Sequence, residues 1–279
     1  MTPKNKVITI IGGKGQMGEL FCRLFESLGH TTHKIGSRDW DDAKQYIAQS
    51  DLVIVSVPIN RTSAIIEQVA TLMPPEAILA DFTSIKVDPL LAMLKYHSGA
   101  VIGLHPMFGP TITSTQSQVV VCCEGRTPQQ SQWLLDDLVQ LGFTLKQMTA
   151  SEHDQAMSFI QGVEHFITFS LGTFLHHKNQ HPEKLLEIAS PIYLAKLLLM
   201  GRIFDQDPKL YADIIMANPT RIALIAEFAE WLQNWVHKLQ ADDKTAFIEE
   251  FSSAAKWMGD FTKYSQNISD DFLNIDLKK

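Results

Sequence analysis

The chain has 279 residues, close to two domains at about 150 residues each. Hydrophobic residues make up 45% and charged residues 20%, which suits folded cores and excludes a disordered chain. With 24 Lys and Arg against 31 Asp and Glu, the net charge of −7 argues against the phosphate-neutralising surface of a nucleic-acid binder. Three cysteines, two of them the adjacent Cys122 and Cys123, show neither a disulfide framework nor zinc spacing.

The first apolar run, residues 7–11, stops at Gly12-Gly13 and is too short for a signal-peptide core. No later run approaches the roughly 18 residues that span a bilayer, so a cytoplasmic protein with no membrane partner is expected. From there to about residue 150, short β-branched runs alternate with helical patterns. Strands are expected at 7–11, 31–35, 52–57, 77–81, 101–104, 119–123 and 143–148, several continuously apolar as in a parallel sheet covered on both faces. Met17, Leu20, Phe21, Leu24 and Leu28 form a helical stripe closed by Gly29, while Thr127 and Pro128 read as the start of a later helix. Beyond residue 150 the pattern turns wholly helical. Ser151 and Asp154 resemble a capping box, and His181-Pro182, Ser190-Pro191, Asp207-Pro208 and Asn218-Pro219 mark helix breaks. The expected fold is α/β: a doubly wound, Rossmann-type domain over 1–150 and an all-helical domain over 151–279.

Gly13, Gly15 and Gly18 form G-x-G-x-x-G between the first strand and the first helix, the setting in which backbone amides receive a dinucleotide pyrophosphate. Cofactor contacts are expected from Gly13, Gly15, Gln16, Met17 and Gly18, and from Val57 and Pro58 after the third strand. After the second strand, Asp39 is the first acid available for a ribose 2′-hydroxyl, although it stands late relative to the strand end. Ser37 and Arg38 offer instead a cradle for a 2′-phosphate, so NAD is favoured and NADP stays open. His105, at a strand tip before Pro106, is the candidate catalytic base. His176, His177 and His181 read as a solvated helix end, and no metal site is expected.

The strings GGKGQMG, VIVSVP, GLHPMFGP, EHDQAM and SPIYLAKLLLMGRIFDQDPKLYADIIM together resemble the prephenate dehydrogenases, in particular the dehydrogenase portion of the bacterial bifunctional chorismate mutase/prephenate dehydrogenases. The resemblance spans nearly the whole chain. It implies a nucleotide-binding domain followed by a helical dimerisation domain, a homodimer, and oxidative decarboxylation of prephenate to 4-hydroxyphenylpyruvate with reduction of NAD in tyrosine biosynthesis. His105 matches the family's catalytic histidine, which must be neutral to accept a proton, so activity is expected to rise with pH near the ordinary imidazole value of about 6.5. Ser84 matches a serine that orients that histidine, and reads equally well as a helix N-cap. Arg202 matches an arginine gripping a substrate carboxylate; from its own pattern it is a surface helix residue. His165 and, more weakly, His153 match substrate-pocket histidines, with tyrosine as a possible feedback ligand. No chorismate mutase segment is expected in these residues. Arogenate, the aminated analogue, is the alternative substrate. A β-hydroxyacid dehydrogenase using Lys86 is a second reading, and a non-catalytic nucleotide sensor a third.

Overall fold

The computed structural model describes residues 5–273. Among these, seven strands occupy the expected segments: β1 (Val7–Ile11), β2 (Thr31–Ile35), β3 (Leu52–Val55), β4 (Ile78–Asp81), β5 (Val101–Pro106), β6 (Val119–Glu124) and β7 (Thr144–Gln147). They form one sheet in the order β2-β1-β3-β4-β5-β6-β7. Every neighbouring pair is parallel except β5 with β6, where His105 stands opposite Val121. A parallel neighbour needs a crossover back to the starting edge, usually helical. Residues 107–118 contain no helix, so β6 returns antiparallel.

Strand side chains alternate between two cores. Leu52 and Ile54 of β3 join Ile8, Ile10 and Leu104 beneath Phe21, Phe25, Leu134 and Leu138 of α1 (Gln16–Ser27) and α5 (Gln132–Gln140). Val53 and Val55 join Leu79 and Val101 on the other face, under α2 (Trp40–Ile47), α3 (Ile59–Ala70) and α4 (Val87–Tyr96). All four residues of β3 are fully buried, which explains its unbroken apolar run. Each such side chain contributes about 1.5–3 kcal/mol. The adjacent cysteines follow the same alternation: Cys122 belongs to the first core and Cys123 to the second.

From β1 the chain moves outward to β2 and then crosses back to place β3 on the other side of β1. The loops after β1 and β3 therefore diverge, opening a crevice at the carboxyl ends of the strands.

Two helix starts differ from expectation. Thr127 adopts left-handed backbone (φ 49°), and a 3-10 turn at Pro128–Ser131 precedes α5. The capping box of α6 (Ala150–Met157) is not Ser151 with Asp154 but Thr149 with Glu152. The Thr149 hydroxyl accepts from the Glu152 amide at 3.2 Å, and the Glu152 carboxylate accepts from the Thr149 amide at 2.8 Å. This frees Asp154 for another contact.

The chain divides into two compact units between Met157 and Ser158. The second begins with a π-helical turn, Ser158–Val163, followed by α7 (Glu164–His177), α8 (Pro182–Leu186), α9 (Pro191–Phe204), α10 (Pro208–Ile215), α11 (Pro219–Gln240), α12 (Lys244–Met258) and α13 (Phe261–Leu273). The four expected breaks each place proline in the first helical turn. Ser190, Asp207 and Asn218 cap α9, α10 and α11 with their side chains. This unit leaves many large apolar groups on its surface, among them Ile192, Leu199, Phe251 and Trp257. No helix among the described residues is long and apolar enough to cross a membrane.

Gly12 has φ +85°, and a Cβ there would lie 1.9 Å from the Ser56 carbonyl oxygen. Gly29 has φ +89° in open space. Gly12→Ala is therefore expected to cost well over the ~1 kcal/mol of Gly29→Ala, read as the difference between their urea unfolding midpoints.

Candidate active site

The glycine loop is pinned by backbone contacts. The Gly12 amide donates to Ile35 O at 2.7 Å, and the Ser56 amide to Ile11 O at 2.7 Å, tying the loop to the ends of β2 and β3. Gly12, outside the six-residue fingerprint, makes the tight turn, with φ +85°; the first glycine of the fingerprint, Gly13, does not. Gly13 instead packs against Lys34, whose Cα would sit 2.8 Å from an added Cβ. Gly18 is closed off by Gly12 and Gly13. Gly15 caps α1 with no side-chain hydrogen bond, so the first-turn amides at Gln16, Met17 and Gly18 have no competing side-chain cap. Val57 flanks the loop, its Cγ1 3.3 Å from the Gly12 Cβ position, and Pro58 is the N-cap of α3.

Asp39 is late in sequence but not in space. Its carboxylate folds back to accept from the Gly36 amide, the first beyond β2, at 2.7 Å, and pairs with Lys14 Nζ of the glycine loop at 2.7 Å. The Lys14 contact and the Gly36 amide hold its carboxyl below the usual range. Ser37 and Arg38 are exposed beside it.

His105 is buried at the carboxyl end of β5. Its Nδ1 lies 2.8 Å from Nε2 of His153, and His153 Nδ1 lies 2.8 Å from Asp154 Oδ1. Asp154 Oδ1 also accepts from the Lys86 amide at 2.7 Å, and Oδ2 from the Val87 amide at 3.0 Å. The N-cap of α4 is Lys86 rather than Ser84, and the capping oxygens come from Asp154 on α6. Burial alone would push the Asp154 carboxyl up, but His153 and the two amides outweigh it and hold it below the usual range. Both ring nitrogens of His153 are engaged within the protein, one with His105 and one with Asp154. Ser84 sits half-buried in the β4–α4 loop and makes no hydrogen bond to His105 among the described residues.

Lys86 is fully buried. Its Nζ bonds Asp81 Oδ2 at 2.5 Å and the Leu104 carbonyl at 2.8 Å, fixing the backbone next to His105. Held between Asp81 and Leu104, the Lys86 side chain ties β4 to β5 and has the setting of a structural residue. Burial pushes the neighbouring Cys122 and Cys123 thiols up to about 12 and about 11.

In the second unit, His165 on α7 stands against Tyr211 with ring centroids 5.1 Å apart. Burial, reinforced by the Arg221 charge, lowers its pKa against the opposing pull of Glu164. The Tyr211 phenol is raised by burial and partly lowered by the charge of Arg202, an exposed residue of α9. Arg221 is fully buried, donates to the Ile214 carbonyl, and occupies the space left by Gly162 in the π-helical turn, where a Cβ would meet its Cγ at 2.6 Å. Arg221 carries no motif signal, and Tyr211, though it falls in the family-like string over 190–216, is not marked out within it. Only the Asn218-Pro219 cap ahead of Arg221 marks the place.

Comparison with known proteins follows this division. Residues 30–139 match the model for the prephenate dehydrogenase nucleotide-binding domain, and residues 149–253 that for the prephenate dehydrogenase dimerization domain. The T-protein of Enterobacter agglomerans is 43% identical over 94% of this chain and 70% of its own length; that of Haemophilus influenzae is 40% identical over 92% and 68%. The chain belongs to the prephenate dehydrogenase family. Its fold is that of prephenate dehydrogenase from A. aeolicus, solved with hydroxyphenyl propionate and NAD+ (TM-score 0.70, 16% identity, 92% of this chain and 98% of that one). The first of these matches begins at residue 30, after the glycine loop.

Removing one partner of a buried ion pair strands the other. Lys86→Ala is expected to destabilise by about 3–5 kcal/mol, with Lys86→Met/Asp81→Leu recovering much of the loss in chemical unfolding. For Asp154, the depressed folded pKa means its stabilisation is present above the ordinary carboxylate range and disappears as pH falls through the lowered value. The stability gap between wild type and Asp154→Ala should therefore be large at pH 7 and narrow in strong acid.

Proposed function

We propose that this chain is a prephenate dehydrogenase that oxidatively decarboxylates prephenate to 4-hydroxyphenylpyruvate with reduction of NAD, in the cytoplasm and on the route to tyrosine. The reading is carried by the buried His105–His153 contact at the carboxyl edge of a nucleotide-binding sheet, in a chain of this family. The bound nicotinamide supplies the hydride acceptor. His105 accepts the proton of the ring hydroxyl as hydride leaves the carbon bearing it. The ring carboxylate departs as carbon dioxide, and His105 returns the proton to the oxygen as the ring aromatises, so no proton is consumed overall. Ser84, on the adjoining loop, orients the reacting groups. Arg202 supplies a guanidinium for a substrate carboxylate, and His165, kept neutral by burial, contacts the side chain of substrate or of inhibitory tyrosine.

The dinucleotide site is assigned to the glycine loop at Gly13 and Gly15, whose own amides donate to Ile10 O and Gly12 O, and to the first-turn residues Gln16, Met17 and Gly18, flanked by Val57 and Pro58, with Ser37 and Arg38 beside the adenosine. The Asp39 carboxylate at the end of β2 supports NAD, since it suits a ribose hydroxyl and repels a 2′-phosphate. The exposed apolar surface of the helical unit and the match to a dimerization domain support a homodimer.

The deciding assay is growth of reduced-nicotinamide absorbance with prephenate and NAD, NADP or arogenate in parallel. Turnover with prephenate and NAD is expected; activity only with NADP or only with arogenate would overturn the cofactor or substrate assignment. His105→Asn should lower kcat by about 10²–10⁴, and Arg202→Gln should raise KM by about 10- to 100-fold. Equal rates with and without millimolar tyrosine would remove the inhibitor role, and a monomer in sedimentation would remove the dimer.

A further inference from the structure

The contacts around His105 determine which of its nitrogens carries the proton. Asp154 accepts from two backbone amides, which can only donate, and from His153. Its oxygens are thus acceptors, and His153 Nδ1 must carry hydrogen. In neutral His153 the lone pair then lies on Nε2. Since that atom faces His105 Nδ1 at 2.8 Å, the hydrogen between the rings belongs to His105 Nδ1. A neutral His105 bonded in this way has its lone pair on Nε2. With both rings neutral and Asp154 ionised, any other arrangement places two hydrogens or two lone pairs against each other in one of these contacts.

We propose that Asp154 is a positioning residue which, through His153, holds His105 in the Nδ1–H tautomer and so presents Nε2 as the base. This rests on His105 being the proton acceptor in the reaction above. The same chain has a second use. When Nε2 takes the hydroxyl proton, the Nδ1 proton of His105 shifts to Nε2 of His153, leaving His105 neutral and an imidazolium on His153 against the Asp154 carboxylate. The reverse shift follows when the proton returns to the ring oxygen. One proton enters and one leaves, and no other reactant is needed. Asp154 simultaneously caps α4, so the element that carries Lys86 and the orientation of the base are set by one carboxylate.

The test is nitrogen-15 histidine NMR on the full chain at neutral pH, with His105 and His153 assigned by substitution. The Nδ1–H form of His105 is expected in the wild type; the Nε2–H form would overturn the proposal without any variant having to fold. His153→Phe, which removes the acceptor, should lower kcat tenfold or more with KM unchanged and release His105 to a mixture of tautomers. His153→Gln, whose carbonyl oxygen can accept from His105 Nδ1, should restore a large part of kcat and the Nδ1–H signal. Equal loss in both variants would mean a packing role only. Retention of activity in His105→Asn would instead remove the base assignment itself, a separate failure from that of the tautomer.

Discussion

Asp154 satisfies three donors at once, the Lys86 and Val87 amides and the His153 ring, and through them joins α4, α6 and β5. Helix α4 brings no cap of its own, so its first amides would lose hydrogen bonds without this carboxylate. His153 would lose the partner that orients it, and His105 the ring that orients it in turn. Lys86, at the same helix start, reaches inward to Asp81 and the Leu104 carbonyl, one residue before His105. Backbone and side chain at the end of β5 are therefore held from the same few residues, a dense polar arrangement in an otherwise apolar sheet. Such networks are costly when incomplete, which explains why ion pair, cap and histidine contact are built together.

The cofactor side rests on a different constraint. Because β1 through β5 run parallel, every loop at their carboxyl ends collects on one edge, and the reversal between β1 and β3 opens that edge. Gly12 bends the chain sharply enough to seat α1 there, and Asp39 with Lys14 ties the β2 loop to the glycine loop. Residues from the loops after β1, β2 and β3 thus collect at one edge of the sheet although they lie far apart in sequence.

Much of this was legible in the residues. Strands were readable because full burial on two faces demands unbroken β-branched runs, and His105 because a polar ring at the end of such a run is out of place in a core. The proline breaks were readable because proline fits only the first turn of a helix. What escaped was long-range or shared. Asp154 resembles the partner of a local cap, and nothing in the string EHDQ tells that its oxygens turn toward a helix 67 residues away. Gly12 was hidden behind an overlapping fingerprint that starts one residue later. Antiparallel β6 depends on how residues 107–118 travel, which periodicity does not encode. In the helical unit, an apolar face meant for a partner reads the same as one meant for a core.

The cysteine pair on β6 has a practical meaning. Cys122 and Cys123 pair across the sheet with Leu104 and Gly103, immediately before His105, and point into opposite cores. They cannot bridge each other, and their raised thiols give almost no thiolate at neutral pH, so the folded protein resists peroxide and alkylating agents there. Reaction of Cys122 then reports opening of the core under α1 and α5, and reaction of Cys123 opening of the opposite core, making the pair a built-in chemical clock that tells the two faces of the sheet apart.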